Sequence, residues 1–266
     1  MTKIDLAGVG IGVCSLVLAL GGCGRGRENV TMAGSTAFQP FAEKLADVFM
    51  ASHSGVNITV QGGGSAMGIQ SALSGAATIG MADMVELPPE AATLRREIAA
   101  RDGVALVVNP ANAVTNLALE QIRGVFNGTV ANWKDVGGAD RPITVVSREA
   151  GSGTRSSFEQ IVGDIRLTKN AIIQDSNGTI RETVANDPNA VGYLSHGLLN
   201  ERIKAVRVDG VPCTVEDIAA GRYKLVRPIF LLTRGEPTGA ARTFIDYMLS
   251  PEGQKTIRDD GLIPAK

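Results

Sequence analysis

Ser147–Phe158, reading SREAGSGTRSSF, is the stretch that decides how this chain is read. The β-branched apolar run Ile143-Thr144-Val145-Val146 precedes it and predicts a buried strand. Gly151-Ser152-Gly153-Thr154 breaks that pattern, and Arg155 to Val162 resumes with helical spacing. A strand, a Gly-Ser-Thr turn and a helix start together make an anion site. The first turn of a helix leaves backbone N–H groups unpaired and carries a partial positive charge. Glycines let the backbone approach a ligand closely, and the Ser152 and Thr154 hydroxyls can donate. Arg148 adds a planar fork suited to a tetrahedral oxyanion, and it is the only positioned cation that the sequence offers. The plain alternative for the same residues is an N-capped helix beside a surface arginine.

The same grammar recurs upstream. Val30-Thr31-Met32-Ala33 reads as a strand running into Gly34-Ser35-Thr36, and the helix expected over Phe38–His53 has Phe41, Leu45, Val48 and Phe49 on one face. Val56–Val60 is a second strand, followed by Gln61-Gly62-Gly63-Gly64-Ser65 and a helix over Met67–Leu73. Thr78–Met81 is a third, ending at Ala82-Asp83. Strand, small polar turn and helix in alternation define an α/β chain with parallel pairing, whose ligands gather at the carboxyl ends of the strands.

Further along, Pro88–Ala100 is expected to be a polar helix and Gly103–Val108 a strand, with Asn109-Pro110 marking a crossing between domains. Thr115 is the expected N-cap of a helix through Gly124. Ile180–Val184 and Thr214–Ala220 read as helices, and Val191–Leu194 and Ala205–Val208 as strands. Tyr223–Phe230 and Leu231–Thr233 return as two strands, with a second crossing near Leu225–Pro228. Ala240–Met248 and Pro251–Asp259 are closing helices.

Composition narrows the class. The chain has 266 residues, enough for one large domain or two smaller ones with proper cores. A formal net charge of -1 argues against nucleic-acid binding, which needs a basic surface. Aromatic residues make up 4%, too few for stacking platforms.

The N-terminus reads as a targeting segment. Lys3 precedes the mostly apolar run Leu6–Leu20, too short to span a bilayer comfortably. Leu20-Gly21-Gly22-Cys23 resembles the lipobox of bacterial lipoprotein signal peptides, which implies removal of residues 1–22 and lipid attachment at Cys23. Asp5 and Gly21 depart from that pattern, so plain secretion is the alternative. Residues 23–29 would form a tether. With Cys14 removed and Cys23 lipidated, Cys213 stands alone, without a disulfide partner, and reads as a small packed residue.

Taken together, Gly34-Ser35-Thr36, Gln61–Ser65, Ile79-Gly80-Met81-Ala82-Asp83 and Ser147–Thr154 resemble, in content and order, the periplasmic phosphate-binding proteins of bacterial ABC importers. Phe126-Asn127-Gly128 with Asn132-Trp133, Asp175-Ser176-Asn177-Gly178 and Val191-Gly192-Tyr193 extend the likeness over nearly the whole mature chain. The resemblance implies the two-lobe periplasmic-binding-protein fold, each lobe a mainly parallel sheet flanked by helices. Residues 30–108 plus 225–266 would form lobe I and 109–224 lobe II. It also implies that Ser35, Thr36, Ala37 (through its backbone N–H), Ser65, Asp83, Arg148, Ser152, Gly153 and Thr154 surround one phosphate. The implied partners are inorganic phosphate and ABC permease subunits in the inner membrane. No cofactor or metal is implied, and the protein would be a monomer held to the membrane through its lipid alone. Shorter members carry Ser-Ser-Arg where this chain has Ala82-Asp83-Met84, and Asp83 matches the acid of longer members.

The chemistry is coherent on its own terms. Phosphate at neutral pH keeps a proton and sulfate keeps none, so an ionised Asp83 accepts a hydrogen bond from the first and repels the second. An enzyme fits poorly. Gly151-Ser152-Gly153 is not a Gly-x-Ser-x-Gly elbow, the Gly-Lys-Ser/Thr of a P-loop is missing, and the two histidines, His53 and His196, supply no evident general base. Another oxyanion, such as sulfate or molybdate, and a phosphate-sensing lipoprotein without transport are the other readings.

Overall fold

The computed structural model describes residues 27–265, so the leader over 1–22, Cys23 and most of the tether lie outside the described residues. In chain order the elements are β1 (Glu28–Gly34), α1 (Gln39–Ser52), β2 (Val56–Gly62), α2 (Ser65–Ser74), β3 (Ile79–Ala82) and β4 (Arg95–Val108). Next come β5 (Asn116–Leu117), α3 (Leu119–Asn127), β6 (Thr144–Arg148), α4 (Gly153–Val162), β7 (Ile172–Gln174), α5 (Asn177–Asn186) and β8 (Ala190–Ser195). The chain closes with β9 (Lys204–Val208), α6 (Val215–Ala219), β10 (Val226–Thr233), α7 (Gly239–Leu249), α8 (Pro251–Asp259) and β11 (Ile263–Pro264). No helix among the described residues is long and apolar enough to cross a membrane.

The strands form one mixed sheet in the order β2-β1-β3-β10-β4-β8-β6-β7, with β5, β9 and β11 attached beside it. β1 pairs in parallel with β2 and β3, and β6 in parallel with β7 and β8. The middle is antiparallel: β10 runs against β3 and β4, and β4 against β8 and β9. The expected parallel character therefore holds at the flanks, where helices link successive strands, and gives way at the centre.

Pro88–Ala100 is not a helix: Pro89–Thr93 makes one 3₁₀ turn, and Arg95 begins a 14-residue strand. Helix formers such as Arg96, Glu97, Ala99 and Ala100 are instead paired along β10, so tertiary pairing overrides propensity. Thr115 caps no helix, because Asn116 and Leu117 pair with β9 and α3 starts at Leu119. The two strands expected between Tyr223 and Thr233 are one, β10, with a register shift between Ile229 and Phe230. The tether is shorter than expected, since Glu28 and Asn29 already pair with Val56 and Asn57.

The apolar residues bury into distinct cores. One draws on residues from Val104 to Leu225, where Phe158 lies 4.7 Å from Phe126 and 4.1 Å from Tyr193. Another gathers Val30, Phe38, Leu45, Phe49, Phe244 and Met248, and a small one surrounds Ile69 and Leu232. β4 contributes Ala99 and Ala100 to the second core and Val104–Val108 to the first. Trp133 is buried in its loop and donates Nε1–H to the Asn189 carbonyl at 2.9 Å, a packing role. Cys213 is buried, and burial pushes its thiol pKa up, away from reactivity.

Candidate anion-binding site

The N-terminal ends of α2 and α4, and the loop after β3, meet around one carboxylate. Asp83 follows β3 and is buried. Its Oδ1 accepts from Ser65 Oγ at 2.6 Å, and its backbone N–H donates back to that oxygen at 3.0 Å. Its Oδ2 accepts from Thr154 Oγ1 at 3.1 Å. Ser65 and Thr154 lie in the first turns of α2 and α4, so these bonds also fix how the two helix ends face each other. Gly64, before α2, has φ of +87°, a conformation that favours glycine.

Gly153 makes the approach possible. A Cβ there would stand 2.6 Å from the Asp83 carbonyl oxygen and 2.8 Å from its Oδ1, and nearer still to Ser65 Oγ. The same face carries direct bonds between distant segments: Ala66 N–H to the Gly151 carbonyl at 3.1 Å, and Val85 N–H to Ser157 Oγ at 3.2 Å. Ser152 caps α4, its Oγ accepting from Arg155 N–H at 3.2 Å. Capping by the hydroxyl oxygen leaves its proton free to donate, so the plain and functional readings of Ser152 coexist.

Around α1 and α5 the grouping is similar. Asn177 opens α5 and donates Nδ2–H to Thr36 Oγ1 at 3.2 Å, while its Oδ1 accepts from Ser195 N–H at 3.0 Å. Ser35 Oγ accepts from the N–H groups of Ala37 and Phe38 at 3.2 and 3.1 Å. Those bonds give the Ala37 N–H a partner inside its own loop.

Arg148, at the end of β6, is buried, and its guanidinium is spoken for on one side. Nε and Nη2 hold Glu149 at 2.8 and 2.9 Å, and Nη2 reaches the Asp175 carbonyl at 3.2 Å. Its Nη1 is buried without a hydrogen-bond partner.

Arg148 is not the only buried cation. Arg227 on β10 is fully buried, and its Nη2 lies 2.8 Å from Asp83 Oδ2 and 2.9 Å from Asp102 Oδ2. Asp102 also accepts from Ser195 Oγ at 3.0 Å. Arg227, Asp102 and Asn177 lie outside the residues expected to surround the anion. A signal is present for Arg227, which interrupts the apolar run Leu225–Leu232, and a charge inside a buried strand needs a partner.

Burial raises the Asp102 carboxyl pKa, against the lowering effect of Arg227. The native state then takes up this proton before the unfolded chain does, so the group's contribution to stability falls as pH rises from 3.8 through its raised value. Asp102→Asn removes that slope. Urea unfolding at pH 4 and pH 7 is expected to show the variant gaining stability relative to the natural chain at the higher pH. Burial likewise pushes the Tyr193 phenol up to about 12, so it bonds Ser147 Oγ at 2.7 Å as a neutral group.

The architecture and the converging helix ends place this chain in a broad class of binding proteins. A family model described as a PBP superfamily domain matches residues 22–252. Phosphate-binding protein PstS of Bacillus subtilis is 35% identical over 241 residues, 89% of this chain and 80% of that protein. A Clostridium perfringens structure, described as a phosphate ABC transporter substrate-binding protein with bound phosphate, is 39% identical. It superposes with a TM-score of 0.86 over 90% of this chain and 100% of its own. An ABC-type phosphate transport receptor from Vibrio cholerae is 36% identical with a TM-score of 0.74, covering 88% and 99%. The chain belongs to the PstS family of phosphate-binding proteins, a family of substrate-binding proteins and not of enzymes.

Proposed function

We propose that the chain binds inorganic phosphate between two lobes and delivers it to an ABC-type import permease. The observation that carries this reading is Asp83, a buried carboxylate acting as acceptor towards Ser65 and Thr154 at the ends of two helices. Helix N-termini and hydroxyls suit the oxygens of a tetrahedral anion, and a carboxylate suits an anion that still carries a proton. Thr36, Ser65 and Asp83 would come from lobe I (residues 30–108 plus 225–266), and Arg148, Ser152, Gly153 and Thr154 from lobe II (residues 109–224). Each half holds part of the ligand, so phosphate favours the closed arrangement through its differential contacts. The closed form is what the permease would recognise. On this reading the protein works as a monomer on the outer side of the cytoplasmic membrane, anchored through lipid at Cys23.

Asp83→Asn tests the selectivity. The amide presents an N–H as readily as an oxygen, so the variant is expected to narrow the phosphate-to-sulfate preference by roughly 10-fold or more, with a smaller loss of phosphate affinity. Competition titrations with both anions read the ratio. An unchanged preference would remove Asp83 as the proton-reading group.

A further inference from the structure

Arg227 and Asp102 stand outside the set of residues that the resemblance implied, yet they are the most deeply buried charges near the site. They are direct partners across the antiparallel ladder between β10 and β4. Both are fully buried, which is costly unless the charges have a task or complete pairing. Pairing is not complete: Arg227 Nε and Nη1 are buried without a partner, while Nη2 bridges Asp102 and Asp83.

Resting on the phosphate reading, we propose that Arg227, held by Asp102, is the positioning residue for Asp83 and thereby sets the preference for a protonated oxyanion over a fully ionised one. A carboxylate offers about four lone-pair directions. Ser65 takes one on Oδ1 and Thr154 one on Oδ2, with the Arg227 guanidinium standing against Oδ2 as an ion pair at 2.8 Å. The direction left over is the one available to accept a proton from the ligand. A planar guanidinium fixed on one side by Asp102 permits a single orientation of the Asp83 carboxylate. Without Arg227 the carboxylate is free to turn and no longer holds that direction towards the ligand. The charged and titratable groups packed on this pair are Asp83, Arg227 and, behind Asp102, Cys213 and Tyr223. None of the others replaces the guanidinium.

The test is the ratio of phosphate to sulfate affinity in the full chain, by calorimetric titration. Arg227→Gln combined with Asp102→Asn removes one charge of each sign, so the net charge of the cluster is kept and no second carboxylate faces Asp83, which retains its bonds from Ser65 and Thr154. Its ratio is expected to fall roughly 10-fold or more. Arg227→Lys keeps the charge without the planar bridge, and its ratio is expected to fall by less. Thermal melting shows whether each variant folds; if the double variant does not, Arg227→Lys decides alone. A merely structural role lowers both affinities in parallel or lowers only the melting temperature, and either result with the ratio intact overturns the assignment. The natural chain is titrated first. If it does not bind phosphate, the phosphate reading fails; if it does and the variants keep its ratio, the role of Arg227 fails on its own.

Discussion

Arg148→Ala is expected to weaken phosphate binding by roughly 30-fold to several thousandfold, the range for removing one partner of a buried, hydrogen-bonded charge pair, about 2–5 kcal/mol. Arg148 is 1% exposed, and Glu149 and the Asp175 carbonyl already fix the plane of its guanidinium. Among the described residues Nη1 has no partner, and it is the donor left for an oxyanion. Because the fork is pre-oriented, little entropy is spent in placing it when the ligand arrives. The loss is large without being complete, since Arg227 keeps a second guanidinium beside Asp83. Stability suffers less than affinity. Glu149, left without its partner, is 31% exposed and can be hydrated. Calorimetric titration and thermal melting of the same preparation separate the two effects. A variant that melts lower and binds as before would make Arg148 a structural residue.

Gly153→Ala is expected to weaken phosphate binding by a large factor for a change of one methyl group. Alanine is the better residue within a helix, so α4 itself gains from the substitution. The penalty falls across the site, where the new Cβ meets Ser65 Oγ, the Asp83 carbonyl at 2.6 Å and Asp83 Oδ1 at 2.8 Å. Two of those atoms form the hydrogen bond at the centre of the site, so neither can move away cheaply. Overpacking of this kind costs about 1–3 kcal/mol, which reads as roughly 5- to 150-fold in phosphate affinity. Each side of the contact keeps its own core, so the unfolding midpoint without phosphate should change little. An unchanged phosphate affinity would mean that α4 and Ser65 do not need to come this close for binding.

What the residues disclosed in advance follows from how local the determinants are. The turns at Gly34-Ser35-Thr36, Gly62–Ser65 and Gly151–Thr154 declare themselves because glycine and small hydroxyl residues interrupt apolar runs within a few positions. The convergence of α2 and α4 on Asp83 follows from strand-end placement in an α/β sheet. β4 was hidden, since Arg95–Ala100 has helix-forming composition and becomes a strand only by pairing with β10, over 120 residues away in sequence. The long antiparallel centre of the sheet was hidden with it. Arg227 and Asp102 were hidden for the same reason: their meaning lies in facing each other across that ladder, a register that no window of sequence displays. The role of Ser35 was legible in part, as a cap, while the capture of the Ala37 N–H by its hydroxyl is a detail of loop geometry.

On this reading the chain is a selective clamp for phosphate. The measurement that bears on it most directly is calorimetric titration of phosphate into protein stripped of bound anion by unfolding and refolding, with sulfate and molybdate in parallel. Tight one-to-one binding of phosphate, with neither of the other anions competing, is the predicted result. No binding of phosphate, or a preference for sulfate or molybdate, would leave the fold standing and contradict the function.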